Sequence, residues 1–499
     1  MAEIKYSWQD DSPFLDERLQ SYSKSGCYPF HMPGHKRAHI EFPNPYSVDI
    51  TEIDRFDNLY HANGILKEAQ QRAAELFGAK ETFFLINGST SGILSAISAA
   101  VPRLGTLLMS RNSHKSAYHA IYLRGLETVY LLPAATEFGI SGSISPAHVA
   151  QALDDLPQIR AVYITSPTYD GVASDIRTIA EIVHAYDLPL IVDEAHGAHF
   201  TLCDEFPESA LECGADLVVQ SLHKTLPALT QTALLHVNSE RIDRNALENF
   251  LSIYQTSSPS YLLMSSIEQC VRFLNEEKEE RLEKYIKRLN NFYRQAKSLK
   301  NLRLFDKASC EPESCFDHDI SKLLVSVGKS DLTGQKLYRK LLHNYYLQLE
   351  MCSGHYVTAL TSLMDTQEGF ERLLHGLKEI DDEISLGTSR PASRPVILGA
   401  RTQSQPQRLT SNDIYQPPKP QMPIALAMEQ PAEPLPLKAS TGHISQEFIY
   451  LYPPGIPLVT PGEILTGKII SIVDQCRKLG LTVEGLSDRN NLSIKVVKT

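Results

Sequence analysis

The chain has 499 residues, about three times a typical domain length, so several domains and a sizeable buried core are expected and a small stapled scaffold is excluded. Its 42% hydrophobic and 21% charged residues are those of an ordinary soluble globular protein and exclude a collagen-like, coiled-coil or wholly disordered chain. Lys+Arg 48 against Asp+Glu 59 gives a net charge of −11, which argues against a general nucleic-acid binder and suits cationic ligands.

The opening MAEIKYSWQDD carries acids where a signal peptide carries a basic and then an apolar run, and no stretch reaches 18 uninterrupted apolar residues. A cytoplasmic protein that neither spans nor binds a membrane is expected. From about residue 60 to 240, the apolar runs FFLI (83–86), AVYIT (161–165), LPLIV (188–192), DLVVQ (216–220) and TALLHV (232–237) alternate with helix-like stretches. That alternation predicts an α/β domain with a mostly parallel central sheet. Residues 241–300 turn charged and helical, and 301–385 supply further strands such as KLLVSV (322–327) and amphipathic helices, enough for a smaller α/β domain. Between 391 and 436 stand ten prolines, which predict a linker or an extended wrapping segment before a small C-terminal unit. The expected boundaries are an N-terminal segment 1–60, a large domain 61–300, a small domain 301–385, a linker 386–436 and a C-terminal domain 437–499.

Eight cysteines are scattered without a CxxC pair, so neither a disulfide framework nor a thiolate zinc site is suggested. A metal-dependent hydrolase is hinted at by His31 and His35 and by His196 and His199. However, Pro33 and Gly34 interrupt the first pair, so those histidines would not share a helix face, and no metal is expected.

Three segments carry chemistry. In FFLINGSTSGILSAISAA a buried strand runs into Asn87-Gly88-Ser89-Thr90-Ser91-Gly92 and then a small-residue helix, whose free N–H groups suit a phosphate. A capped strand-to-helix turn would look similar. LPLIVDEAHGAHF puts Asp193 and Glu194 at the carboxyl end of a strand, the sheet edge where ligands bind, although a carboxylate there can also cap a helix. Thirty-one residues after Asp193, DLVVQSLHKTLPALTQ ends another strand with Ser221, His223 and Lys224; such a lysine is either a snorkelling surface residue or a Schiff-base nucleophile. Together, an anion cup, a carboxylate and an amine are what pyridoxal phosphate requires for its ester, its pyridine nitrogen and its aldehyde.

With these segments in view, the sequence resembles the fold-type-I pyridoxal-phosphate decarboxylases of the ornithine/lysine/arginine group, in particular the short bacterial type without an N-terminal receiver-like domain. The matching segments are FHMPGHK (30–36), DITEIDRFDNLY (49–60), FFLINGSTSGI (83–93), RNSHKS (111–116), SPTYDG (166–171), VDEAHGAHF (192–200), SLHKTLPALTQ (221–231) and YPPGIPLVTPGE (452–463). The resemblance implies an α/β fold with an aspartate aminotransferase-type large domain, a small α/β domain and a C-terminal domain. It implies pyridoxal 5'-phosphate as cofactor, with Lys224 holding the aldehyde, Asp193 partnering the pyridine nitrogen and His114 stacking on the ring. Ser89, Thr90, Ser221 and His223 would contact the phosphate, Ser91 would belong to the same cofactor-binding loop, and His196 would lie beside the cofactor. Ser257 and Ser258, in QTSSPSY, resemble a segment that reaches the neighbouring subunit's phosphate, implying a homodimer or higher even homo-oligomer with shared sites. The implied reaction is decarboxylation of a basic amino acid, arginine first, with lysine and ornithine as alternatives. Glu463, Asp54 and Asp57 stand as acids that could hold a distal cation or simply belong to turns. Transamination or elimination on the same cofactor and a non-catalytic protein of this fold are the other readings.

Overall fold

A computed structural model describes residues 12–38, 42–328, 330–387, 417–452, 455–478, 482–488 and 493–498. The chain divides into two compact units, one formed by 1–41, 279–305 and 321–408, the other by 42–278, 306–320 and 409–499.

The larger unit is built on a seven-stranded sheet, whose strands we label β1 (Glu81–Leu85), β2 (Thr106–Ser110), β3 (Glu127–Leu131), β4 (Ile159–Thr165), β5 (Leu190–Asp193), β6 (Leu217–Gln220) and β7 (Ala233–Val237). Their order is β1-β7-β6-β5-β4-β2-β3. Only β7 runs against its neighbours, and the four pairings from β6 to β3 are parallel. Every residue of β2, β5, β6 and β7 is buried, as continuous apolar runs covered on both faces require. Parallel order puts the carboxyl ends of β1, β2, β4, β5 and β6 on one edge, and each of the three chemistry-bearing segments leaves the sheet there.

Helix α1 (Gly88–Ala100) follows β1 and lies close to the sheet because its inner face is small. A Cβ at Gly92 would come within 2.5 Å of Leu85 Cδ1 and 3.2 Å of Val219 Cγ1. Helix α2 (Lys115–Arg124) follows β2 and is capped by the His114 side chain, which accepts from the Ser116 N–H. Helix α3 (Leu222–Thr225) is a single turn directly after β6.

The C-terminal part of this unit has its own apolar cluster around Ile449, Leu458, Val459, Ile469, Val473 and Ile494. Within the expected linker, residues 388–416 lie outside the described residues, but the remainder is not structureless. Ile424–Glu429 is helical, and Ala432–Pro436 pairs antiparallel with Ser493–Val497. Prolines fit there because the strand belongs to a two-stranded ribbon with an exposed edge, where a missing N–H costs no ladder bond.

Glu463, entertained above as a holder of a distal cation, instead meets Arg111. The ion pair is 3.1 Å long, both side chains are 1% exposed, and Glu463 also accepts from the Thr460 N–H at 2.8 Å. The guanidinium lies 4.9 Å from the centre of the Tyr130 ring. Its counter-charge is therefore already supplied from within the chain.

The smaller unit has a four-stranded antiparallel sheet, in the order Arg303–Leu304, Lys322–Ser326, Tyr356–Leu360 and Met351–Cys352. The helices Gly334–Tyr345 and Gln367–Ser385 belong to it, and Tyr28–Phe30 pairs in parallel with Leu347–Leu349. Buried Lys36, from FHMPGHK, donates to the carbonyls of His31 at 2.9 Å and Leu360 at 2.7 Å, pinning the N-terminal segment to this sheet.

One feature departs from the cysteine reading. Cys310 and Cys315 form a disulfide, with Cα atoms 5.0 Å apart. A turn in which Ser314 and Cys315 both donate to the Glu311 carbonyl brings them together, so the link closes a local loop and frames no domain. Among the described residues, no helix is long and apolar enough to cross a membrane.

The buried Arg111–Glu463 pair gives a stability prediction. Glu463→Ala leaves a buried guanidinium unpaired and should cost about 3–5 kcal/mol in urea unfolding. Replacing both partners together with apolar residues should recover much of that loss, and equal losses in single and double variants would contradict the pairing.

Candidate active site

At the carboxyl edge of the sheet, Gly88 turns the chain out of β1 with φ +72°, a conformation that favours glycine, and α1 begins. The Ser89 hydroxyl lies 2.5 Å from that of Ser221, at the end of β6. Two segments 132 residues apart in the chain thus close one hydroxyl-lined cup. Ser91 is buried, its hydroxyl donates back to the Gly88 carbonyl at 2.8 Å and its N–H is the first taken up by the helix, so the free amides at this end stop at Thr90, whose side chain is exposed. His223 bonds through Nδ1 to the Thr232 carbonyl at 2.8 Å, which places the proton on Nδ1 and leaves Nε2 open as an acceptor. Burial lowers its pKa to about 4.

Asp193 ends β5 and is buried. One carboxylate oxygen accepts from the Ala195 N–H at 3.1 Å, the other from the Tyr163 hydroxyl, also at 3.1 Å. Burial raises its pKa, opposed by the charge of Lys224 and by these two donors. Lys224, in α3, lies 3.1 Å from His196 Nε2. An ammonium can only donate, so His196 accepts there and carries its own proton on Nδ1. Its ring meets that of Tyr169 edge-on, with centres 5.0 Å apart.

His114 accepts from the Ser116 N–H at Nδ1, which leaves its proton on Nε2. Burial, and then the neighbouring charge of Lys224, lower its pKa to about 3. Lys224 is therefore the electrostatic meeting point of Asp193 and His114, drawn from the ends of three different strands.

Glu194 points elsewhere. It accepts from Ala210 N at 2.7 Å, Ser209 Oγ at 3.0 Å and Gln220 Nε2 at 2.6 Å. The Gln220 oxygen in turn accepts from His236 Nε2 at 3.0 Å, and His236 Nδ1 accepts from Thr82 Oγ1 at 2.8 Å. This buried chain ties the residue after Asp193 to the residue before Ser221.

Most of the other expected acids and histidines are occupied by structure. Asp57 caps a helix by accepting from Gly64 N at 2.7 Å and Leu66 N at 2.9 Å, and Asp54 is exposed. His199 pairs with Asp319 at 3.1 Å, so it and His196 serve different partners; His31 meets the Tyr22 hydroxyl at 2.7 Å. Ser257 and Ser258 are exposed in this chain, on a segment held against the β1 loop by bonds from Ile86 N to Gln255 Oε1 at 2.9 Å and from Thr256 N to Asn87 Oδ1 at 3.1 Å. Sequence reasoning missed Tyr163, Tyr169 and Ser116. Tyr163 sits in an apolar strand run that reads as core. Only its in-register pairing places it on the same face as Asp193.

Two family models match the chain. The Orn/Lys/Arg decarboxylase major domain covers residues 12–319, and the Orn/Lys/Arg decarboxylase C-terminal domain covers 405–487. The chain is 30% identical to an arginine decarboxylase of Bacillus subtilis (strain 168), over 98% of each chain. It is 24% identical to the constitutive lysine decarboxylase of Escherichia coli (strain K12), over 93% of this chain and 77% of that one. Among solved structures, lysine decarboxylase A from Pseudomonas aeruginosa superposes with a TM-score of 0.72 at 18% identity, covering 98% of this chain and 84% of that chain.

The neutral buried histidines give an acid-stability prediction. His236 is held neutral by burial, its pKa lowered from 6.5 to about 3. The unfolded chain takes up that proton as pH falls through 6.5 and the folded chain does not, so stability declines on acidification. Urea unfolding at pH 7 and pH 5 should show about 2 kcal/mol of this decline disappearing in His236→Gln. An unchanged pH dependence would contradict the assignment.

Proposed function

The chain belongs to the Orn/Lys/Arg decarboxylase family, and on that premise we propose that it is a pyridoxal-phosphate-dependent decarboxylase that converts arginine to agmatine and carbon dioxide. The single observation that carries the cofactor reading is the placement of Lys224 on one sheet edge, with its charge felt by buried Asp193 and its amine 3.1 Å from His196, beside the Ser89–Ser221 cup. The donor set fits the group. Hydroxyls and free helix N–H groups suit a phosphate ester, a desolvated carboxylate suits a protonated pyridine, and an amine suits an aldehyde. When bound, the cofactor supplies an electron sink for the bond to the departing carboxylate.

The chain's own side chains then have distinct tasks. Ser89, Ser221 and the first amides of α1 up to Thr90 hold the phosphate; His223, whose open Nε2 can only accept, gives it no side-chain donor. Asp193, kept charged by the Tyr163 hydroxyl and the Ala195 N–H, holds the proton on the ring nitrogen. His114, neutral and fixed by Ser116, offers a flat face for the ring. Lys224 holds the aldehyde and, with His196, carries the proton that replaces carbon dioxide. Ser257 and Ser258 are exposed on the segment bonded to the cup-forming loop through Gln255 and Thr256, open to a second subunit, and we infer a homodimer or larger even assembly in the cytoplasm. Arginine is favoured over lysine and ornithine because whole-length relatives named arginine decarboxylase align at about 30% identity, whereas the relatives named lysine decarboxylase lie further away.

Purified protein supplied with pyridoxal phosphate should release agmatine and carbon dioxide from arginine faster than the corresponding products from lysine or ornithine. Lys224→Ala should abolish turnover. Release of a keto acid in place of carbon dioxide would move the reading to transamination, and normal turnover in Lys224→Ala would refute the lysine assignment.

A further inference from the structure

Among the described residues, the hydroxyl of Tyr163 is the one side-chain donor to Asp193, and the sheet itself puts it there. Strands β4 and β5 are parallel, with Tyr163 paired to Ile191 and Thr165 to Asp193. Residues two apart on paired strands share a face, so the Tyr163 ring runs along that face toward the strand end and its oxygen reaches Asp193 Oδ2 at 3.1 Å. The ring is 0% exposed, within the apolar cluster that includes Met109, Ala117, Tyr118 and Ile191, which leaves it little freedom to move. A phenol so buried beside a carboxylate keeps its proton, and its pKa lies well above 10.0.

We propose that Tyr163 is a positioning residue that orients Asp193 and keeps it ionised toward the ring nitrogen of the cofactor. The inference rests on the cofactor reading above and adds to it a residue outside the family motifs quoted there. Burial alone drives Asp193 toward its neutral form, which would give up the charge that a protonated pyridine needs. Lys224 supplies an opposing charge, but on the proposed reading that amine is committed to the aldehyde. The Ala195 N–H and the Tyr163 hydroxyl then remain to favour the carboxylate, and they occupy one oxygen each.

The test is a double-mutant cycle on the cofactor-free full chain, read as pyridoxal-phosphate affinity and as the melting temperature without cofactor. Tyr163→Phe removes only the hydroxyl and should weaken cofactor affinity about tenfold, the scale of a hydrogen bond to a charged group. In an Asp193→Asn background the same change should alter affinity by less than about twofold, because the charge it supports is gone. Equal weakening in both backgrounds, or none in the first, would overturn the proposal, since a packing role would act alike in both. Should Tyr163→Phe not melt cooperatively, a fluorinated tyrosine at position 163 keeps the shape and strengthens the donor: tighter binding is expected, and weaker binding overturns the proposal. Failure of the unsubstituted protein to bind the cofactor at Lys224 would instead sink the functional reading, and this inference with it.

Discussion

A carboxylate taken out of water at the end of a central strand is the constraint to which the rest of the site answers. Asp193 is 3% exposed, and in that environment a charge persists only where donors and an opposing charge surround it. Parallel strand order solves this geometrically. It delivers the Tyr163 hydroxyl from β4, the Ala195 N–H from the turn after β5 and the Lys224 amine from the turn after β6 to the same edge. The Ser89–Ser221 contact brings the loop after β1 to that edge as well.

Behind the site, a second layer of polar groups holds these turns in register. Glu194 follows Asp193 directly, Gln220 precedes Ser221 directly, and the 2.6 Å bond between them fixes the spacing of the acid-bearing and lysine-bearing turns. His236 and Thr82 extend this chain to β7 and β1, so three strands and the turn after β5 share one buried network. Such a network is stable only when every member is satisfied, which explains why its histidine is neutral. The site histidines follow the same logic, since His114 and His223 each have one ring nitrogen committed to local backbone and the other left open.

Much of this was legible in the sequence because hydropathy reports burial. The runs AVYIT, LPLIV, DLVVQ and TALLHV each lie on a strand of the sheet, and the Asn87–Gly92, Asp193 and Ser221–Lys224 segments lie at its carboxyl edge, where a parallel sheet must put them. What hydropathy does not encode is direction and partnership. The reversal of β7 leaves no mark on an apolar run. Tyr163 looks like any other core residue until register places it against Asp193, and Glu463 looks like a turn acid until folding brings it to Arg111 across 352 residues of sequence. Proline content does not separate a linker from an extended pairing segment, because a proline-bearing strand is tolerated at an open edge.

The central claim is that Lys224 is the attachment point for the cofactor. Borohydride treatment of the protein after incubation with pyridoxal phosphate, followed by peptide mass spectrometry, tests it most directly. A single reduced adduct on Lys224 is the expected result. An adduct on Lys36 or on surface lysines, with the peptide containing Lys224 left unmodified, would contradict the account.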